Sequence, residues 1–292
     1  MATTASAPVR EALGAAVEAL GAAGVEDPRL DAEVLLAEAT GWERSALVAE
    51  PEAGVPVAAG RRFGEMVRRR LRREPVAYIL GRKGFRNLDL AVDRRVLIPR
   101  PETELLVELA LELRPRRVLD VGTGSGAIAL AVADELPECE VTATDTSAAA
   151  LEVARANAER LGLADRVHCC EGALPVRGGE QGGWDLILAN LPYVAESDWP
   201  SLQPEVTRWE PREALLAGPD GLNAYRALLP ESAGLFHRYA GQRAGTLAVE
   251  VGEGQASAVA ELFREAGIEE IGTRRDLAGI ERVVLGRVGG EE

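Results

Sequence analysis

A strand that runs straight into three closely spaced glycines and then into a helix constrains this chain more than any other feature. Arg117-Val118-Leu119-Asp120-Val121 reads as a buried strand, Gly122-Thr123-Gly124-Ser125-Gly126 as a tight turn, and residues 127–135 as a helix. Glycines in such a turn let a ligand approach the backbone, and the helix start presents unpaired N–H groups beside it. Comparable strand-like runs return at residues 140–144, 166–170, 185–190 and 246–251, alternating with helical stretches such as 148–161. Strand and helix in alternation predict an α/β fold with a doubly wound, mostly parallel sheet. Residues 269–275 and 281–286 are two strands with only a short connection, so a terminal antiparallel hairpin is expected to close the sheet.

The chain ahead of this region has a different period. Val9, Leu13, Val17 and Leu20 recur at helical spacing before Gly21 and Gly24. Asp27 before Pro28 suits a cap followed by a first helical residue. A third helix is expected over residues 57–72, with Phe63, Met66, Val67 and Leu71 inward. Leu88, Leu90 and Val92 then alternate with Asp89, Ala91 and Asp93, as in a half-buried strand. The expected organisation is a helical substrate-recognition domain over residues 1–80, a linking β-hairpin over 81–98 and the α/β domain over 99–292. The third helix also concentrates Arg61, Arg62, Arg68, Arg69, Arg70, Arg72 and Arg73. This cluster reads either as a solvated face balancing acidic neighbours or as a docking surface for a protein partner.

The remaining composition narrows the chemistry. A formal charge of −14 argues against broad contact with a phosphate backbone, which needs clustered Lys and Arg. Only His168 and His237 are present, too few for histidine-centred catalysis or a multi-histidine metal site. Cys139, Cys169 and Cys170 lack the spacing of a zinc site and are too few for a disulfide framework, so they read as small apolar residues in a reducing compartment. Residues 1–8 have no charged start and long apolar core of a secretory signal, and no run is long enough to span a bilayer. A cytoplasmic protein is expected. If it is an enzyme, it works by positioning.

Two further features meet the glycine turn. Asp145 stands at the end of the second parallel strand, where a carboxylate can accept both hydroxyls of a ribose. Trp184-Asp185-Leu186-Ile187-Leu188-Ala189 is an apolar run that delivers Asn190, Leu191, Pro192 and Tyr193 to its carboxyl end, the side on which open α/β sheets bind ligands. The glycine spacing alone is a weak signal, because the full dinucleotide pattern places its third glycine later.

Asp120 to Gly126, Asp145 and Asn190-Leu191-Pro192-Tyr193 together resemble the motif series of S-adenosylmethionine-dependent amino methyltransferases. Glu74-Pro75-Val76-Ala77-Tyr78-Ile79-Leu80-Gly81, the run from Leu97-Ile98-Pro99-Arg100-Pro101-Glu102-Thr103-Glu104 to Leu106, and Trp209-Glu210-Pro211-Arg212 resemble the release factor glutamine methyltransferases of the HemK/PrmC family. The resemblance extends to Arg275-Asp276-Leu277-Ala278-Gly279. It implies methylation of the glutamine amide in the Gly-Gly-Gln motif of peptide chain release factors, supporting translation termination, by a monomer that binds neither nucleic acid nor membrane. It also implies S-adenosylmethionine at Gly122, Thr123, Gly124, Ser125, Gly126, Asp145, Leu174 and Asn190. Asn190, Leu191, Pro192 and Tyr193 are then the glutamine site, with Asn190 and Tyr193 catalytic and no metal.

Two positions depart from the family pattern. Leu191 stands where the family usually has Pro; it keeps the backbone carbonyl, and its place before Pro192 favours extended backbone. Ala173 stands where an acid commonly accepts from the adenine amine, leaving Glu171 or a backbone group for that contact. Asn-Leu-Pro-Tyr also occurs in ribosomal RNA adenine dimethyltransferases, whose RNA binding calls for a basic face and whose helical domain follows the catalytic one. A noncatalytic module that keeps the fold as a scaffold is the alternative from another class.

Overall fold

A computed structural model of the chain describes residues 7–173, 183–239 and 245–288. By contacts the chain divides into two units, Met1–Gly81 with Gln203–Trp209, and Arg82–Leu202 with Glu210–Glu292.

The first unit, described from Ala7, is helical: α1 (Val9–Ala22), α2 (Pro28–Thr40), α3 (Arg44–Ala49), α4 (Val57–Leu71) and α5 (Val76–Leu80), joined by a later segment containing Pro204–Trp209. Leu20, Leu35, Leu36, Leu47, Phe63 and Ile79 form its core. The short helices α3 and α5 have too few turns to show a period, which is why the sequence pattern missed them. Pro28 is the first residue of α2, but Asp27 caps nothing with its side chain; only its carbonyl accepts, from the Asp31 N–H at 3.0 Å.

Arg61, Arg62, Arg68 and Arg72 of the arginine cluster are exposed, as the solvated-face reading expects, whereas Arg69, Arg70 and Arg73 turn inward within the helical unit. Arg70 is buried and bonds Asp31 at 2.6 Å and Glu205 at 2.7 Å. Arg73 forks onto the same Glu205 through Nε and Nη2, at 2.7 and 2.6 Å. Arg69 grips Glu74 and the carbonyls of Tyr78 and Ile79. These three side chains tie the helical unit together: Arg70, buried, needs carboxylates around it, and the partly buried Arg69 and Arg73 each fork onto one carboxylate.

The second unit begins with an antiparallel hairpin, β1 (Arg82–Phe85) and β2 (Leu88–Ala91). Then follow α6 (Glu104–Leu113), β3 (Arg117–Val121), α7 (Ala127–Glu135), β4 (Glu140–Asp145), α8 (Ala148–Arg160), β5 (Val167–Glu171) and β6 (Leu186–Ala189). After the segment that joins the helical unit, whose helix is α9 (Pro204–Trp209), come α10 (Asn223–Tyr239), β7 (Gly245–Glu250), α11 (Ala256–Glu265), β8 (Glu269–Arg275) and β9 (Glu281–Val288).

Seven strands form one sheet in the order β5-β4-β3-β6-β7-β9-β8. The first five are parallel, and β9 pairs antiparallel with both β7 and β8, giving the terminal hairpin. Val118, Leu186 and Leu188 pack on one face with α6 and α7; Leu119, Ile187 and Ala189 pack on the other with α10 and α11. Burial on both faces explains the continuous apolar strands. The winding direction reverses between β3 and β6, so the crevice beyond their carboxyl ends is where a ligand is held.

Candidate functional site

Strand register assembles the site. Val121 is level with Thr144 on β4 and with Ala189 on β6, and Ala189 is level with Val249 on β7. One step further along each strand, Gly122, Asp145, Asn190 and Glu250 therefore stand in a row. A cavity of about 330 Å³ opens there, within the size range of small-molecule sites. Its lining includes Gly122, Gly124, Asp145, Ala173, Asn190, Leu191 and Pro192.

The glycine turn is built by its own backbone. The Gly122 and Thr123 N–H groups both donate to the Thr144 carbonyl, at 2.8 and 2.9 Å. Gly122, Gly124 and Gly126 all have positive φ. A Cβ on Gly122 would stand 3.4 Å from Leu191 Cδ2 and 3.6 Å from the Asn190 carbonyl, so the glycine keeps this edge of the cavity open. Thr123, Ser125 and Gly126 are buried and are not among the residues that line the cavity. The Thr123 hydroxyl donates to Asp120 Oδ2 at 2.6 Å, the Ser125 carbonyl accepts from Asn157, and the Gly126 N–H closes the turn onto Thr123.

Asp145 braces the turn from the next strand. One carboxylate oxygen accepts from the Gly124 N–H at 2.9 Å and the other from the Ser147 N–H at 2.8 Å. Each oxygen keeps a further lone-pair direction for a hydroxyl donor. Asp120, fully buried, has its carboxyl pushed up to about 7 by burial, opposed by the Thr123 and Ala129 bonds, and its Oδ1 has no partner. At the β5 end, Ala173 lines the cavity while its carbonyl accepts from the Thr144 hydroxyl. Glu171 is exposed and does not line the cavity; Leu174 lies outside the described residues.

Asn190 lines the cavity, and its Nδ2 donates to the Thr103 hydroxyl at 2.9 Å. Leu191 and Pro192 line the cavity beside it; Tyr193 follows but is absent from that lining. The Tyr193 backbone is held firmly: Gln255 Nε2 donates to its carbonyl at 2.9 Å, and Gln255 Oε1 accepts from the Gly252 N–H at 3.0 Å. Gly221 passes so close that a Cβ there would lie 2.3 Å from the same carbonyl. Burial pushes the Tyr193 hydroxyl up to about 12, so the ring is neutral at physiological pH.

Thr103, Glu250, Gln255 and Gly221 are site-building residues that sequence reading did not assign. Thr103 belongs to a motif the resemblance rests on, whereas Glu250 had its own signal, a carboxylate on an otherwise apolar buried strand. That motif is itself anchored: Glu210 accepts from the Ile98 N–H at 3.1 Å and from Arg100 at 2.6 Å. Two distant stretches of similar sequence are thus one contact.

Residues 11–81 match the PrmC N-terminal domain and residues 101–203 the methyltransferase small domain. The release factor glutamine methyltransferase of Moorella thermoacetica is 47% identical over 265 residues, covering 89% of this chain and 90% of that protein. That of Caulobacter vibrioides is 41% identical over 276 residues, with 93% of each chain covered. The chain belongs to the release factor glutamine methyltransferase family. Among solved structures, the hMettl16 catalytic domain in complex with the MAT2A 3'UTR hairpin 6 has a TM-score of 0.55 at 16% identity, covering 68% of this chain and 75% of that one. That likeness is one of fold alone. Membership makes the chain an S-adenosylmethionine-dependent methyltransferase, with the glycine turn at the customary end of its sheet. Whereas the likeness to adenine dimethyltransferases spans the four residues 190–193, the family relationship spans about nine-tenths of the chain. Among the described residues no helix is long and apolar enough to cross a membrane, and no cluster of metal-ligating side chains occurs.

Proposed function

We infer that this chain methylates the side-chain amide nitrogen of the glutamine in the Gly-Gly-Gln motif of release factors, with S-adenosylmethionine as methyl donor. The observation that carries the reading is the shared cavity: Asn190 and Leu191, able to clamp a planar amide, line the same space as Gly122 and Asp145. The residues present fit the cofactor. Gly122 leaves room that a Cβ would fill, and Asp145 presents two oxygens, each with spare acceptor capacity. Gly122, Gly124, Asp145 and Ala173 would hold it. When bound, S-adenosylmethionine supplies an activated methyl group on a sulfonium.

An amide nitrogen is a poor nucleophile because its lone pair is delocalised into the carbonyl. Asn190 Oδ1 and the Leu191 carbonyl are the acceptors for its two hydrogens, fixing its plane and stabilising positive charge as it grows. Tyr193, neutral and braced through its backbone, offers a ring face to the same amide. Proximity and orientation supply the catalysis, and neither histidine nor metal takes part. The helical unit is the part we assign to gripping the release factor.

The test is incubation of purified protein with methyl-labelled S-adenosylmethionine and an intact release factor, followed by peptide mass mapping. A single methyl on the Gly-Gly-Gln glutamine is expected. A competent release factor left unmodified at that peptide overturns the reading.

A further inference from the structure

Gln255 stands at the start of α11 and does nothing for that helix with its side chain. It occupies the N-cap, a position that favours Ser, Thr, Asp or Asn, yet its side chain caps no N–H group there.

Its amide is spent between loops instead. Nε2 donates to the Tyr193 carbonyl at 2.9 Å, and Oε1 accepts from the Gly252 N–H at 3.0 Å. These two backbone groups settle which way the amide faces, since an N–H only donates and a carbonyl only accepts. One planar group thus ties the end of the Asn190-to-Tyr193 turn to the loop that leaves β7. On one side of Tyr193 the chain belongs to the end of β6. On the other, Val194 pairs by its backbone with Leu215 and Ala217, at 2.8 and 3.0 Å. Gln255 holds the residue between.

Two buried glycines make room for the bridge. A Cβ on Gly221, in the turn before α10, would lie 2.7 Å from Gln255 Nε2 as well as 2.3 Å from the Tyr193 carbonyl. A Cβ on Gly252 would lie 2.8 Å from Gln255 Oε1 and 3.0 Å from Tyr193 Cδ2. The Gln255 amide and the Tyr193 ring therefore share one close-packed place, with bare backbone against both.

The cofactor half of the site is built without this bridge. Its glycine turn closes onto the Thr144 carbonyl and is braced by Asp145, at the ends of β3 and β4. Removing the Gln255 amide frees Tyr193 and leaves that turn its own bonds.

We propose that Gln255 is a positioning residue that seats Tyr193 in the acceptor half of the site and takes no part in holding the cofactor. The proposal rests on the amide-methylation reading, in which the Tyr193 ring faces the acceptor amide. Gln255 is not among the residues that line the cavity; it acts through Tyr193.

The test compares wild type, Gln255→Met and Gln255→Glu in steady-state methylation of a release factor, with cofactor affinity and the number of binding sites measured by calorimetry. Methionine keeps the length and loses both hydrogen bonds. It is expected to lower kcat per cofactor site by about 100-fold, the scale of a misplaced reacting group, with the cofactor Kd within about threefold of wild type. Glutamate still accepts from Gly252 but donates to Tyr193 only when protonated; ionised, it sets a negative oxygen against a carbonyl. That carbonyl and partial burial hold its proton above the ordinary value of about 4.3. Its kcat, as a ratio to wild type, should rise by about tenfold or more as pH falls from about 7.5 to about 5, because acid restores the donor. Glu250, Glu102, Arg100 and Arg282, which act on Tyr193, together with Tyr225 and the neighbouring Glu253, are common to both proteins and cancel in the ratio.

A further readout needs no release factor. Because the folded variant holds that proton more tightly than its unfolded chain, acid favours folding, and its deficit in melting temperature against wild type should narrow over the same pH range. Melting temperatures that run parallel overturn the proposal, as does a ratio of kcat that stays flat with pH. Gln255→Met with wild-type kcat, or with cofactor binding lost along with turnover, overturns it too. An unmodified release factor with wild type removes the functional reading and leaves the melting temperatures to judge the bridge. Active wild type with any of the other adverse results removes the proposal alone.

Discussion

Replacing Glu250 with glutamine should favour the folded protein increasingly as pH rises to neutrality, and the size of that change follows from burial. The Glu250 carboxyl is pushed from the ordinary 4.5 up to about 7 by burial; the Thr103 bond opposes this, Glu102 adds to it, and Arg282 and Arg100 pull back. Below pH 4.5 the folded and unfolded chains are both protonated at this residue. As pH rises from there, the unfolded chain gives up its proton while the folded chain holds it, so the folded state loses its advantage until about pH 7, where the loss levels off. The span is roughly two and a half decades of proton affinity, which at about 1.4 kcal/mol per decade amounts to roughly 3 kcal/mol. Glutamine keeps the shape and an acceptor for Thr103 but has no proton to lose. Its other effects, such as a buried amide without a full set of partners, are the same at every pH. Asp120, also raised to about 7, is present in both proteins and cancels in the difference. Urea denaturation of cofactor-free wild type and Glu250→Gln, followed by far-UV circular dichroism from about pH 5 to about pH 8, gives the difference curve. It should climb by roughly 2.5 kcal/mol in favour of glutamine across that range, the rest of the change lying below about pH 5. Parallel curves would refute the reasoning. A carboxylate that weakens the folded state at working pH points to a requirement other than stability.

Three further outcomes test other parts of the structure. Asp145→Ala removes both oxygens that hold the Gly124 and Ser147 N–H groups, and should weaken S-adenosylmethionine binding by about 100-fold in calorimetry, the equivalent of one to two charged hydrogen bonds; affinity unchanged within about threefold ends its role as the ribose acceptor. Gly126→Ala combines a φ of +85° with a Cβ 2.8 Å from Leu130 Cδ1 and 3.4 Å from Ala154 Cβ. Thermal denaturation should show a loss of about 2 kcal/mol, and less than half of that would mean the turn relaxes freely. Glu205→Ala strands Arg70 and Arg73 in the helical unit. Burial pulls the Glu205 carboxyl up, but the two arginine bonds overcome it and hold it below the usual range, so removing it should destabilise by about 3 kcal/mol in urea. A change within experimental scatter would show that the arginines find other partners.

The domain-scale fold was legible because hydrophobic period is a local property. The strands β3 to β9 and helices α1, α2 and α4 each declare themselves within a dozen residues. Asn190, Asp145 and the glycine turn were legible because strand-end polar residues interrupt apolar runs. The short helices α3 and α5 and the roles of Arg69, Arg70 and Arg73 were not, since an arginine on a helix gives no sign of whether a carboxylate waits opposite it. Glu205 lies 132 residues from Arg73 in sequence, and only packing brings them to 2.6 Å.

By itself the sequence determined the order of elements, the side of the sheet on which the site lies and the chemical groups delivered there. Tertiary structure decided which of those groups meet. The register of β6 against β7 puts Glu250 level with Asn190, and the turn before α6 carries Thr103 to within 2.9 Å of the Asn190 amide. Those contacts join three separate stretches of chain, so their geometry depends on packing across the sheet and is absent from any local pattern. That packing sets the Asn190 amide against the Thr103 hydroxyl.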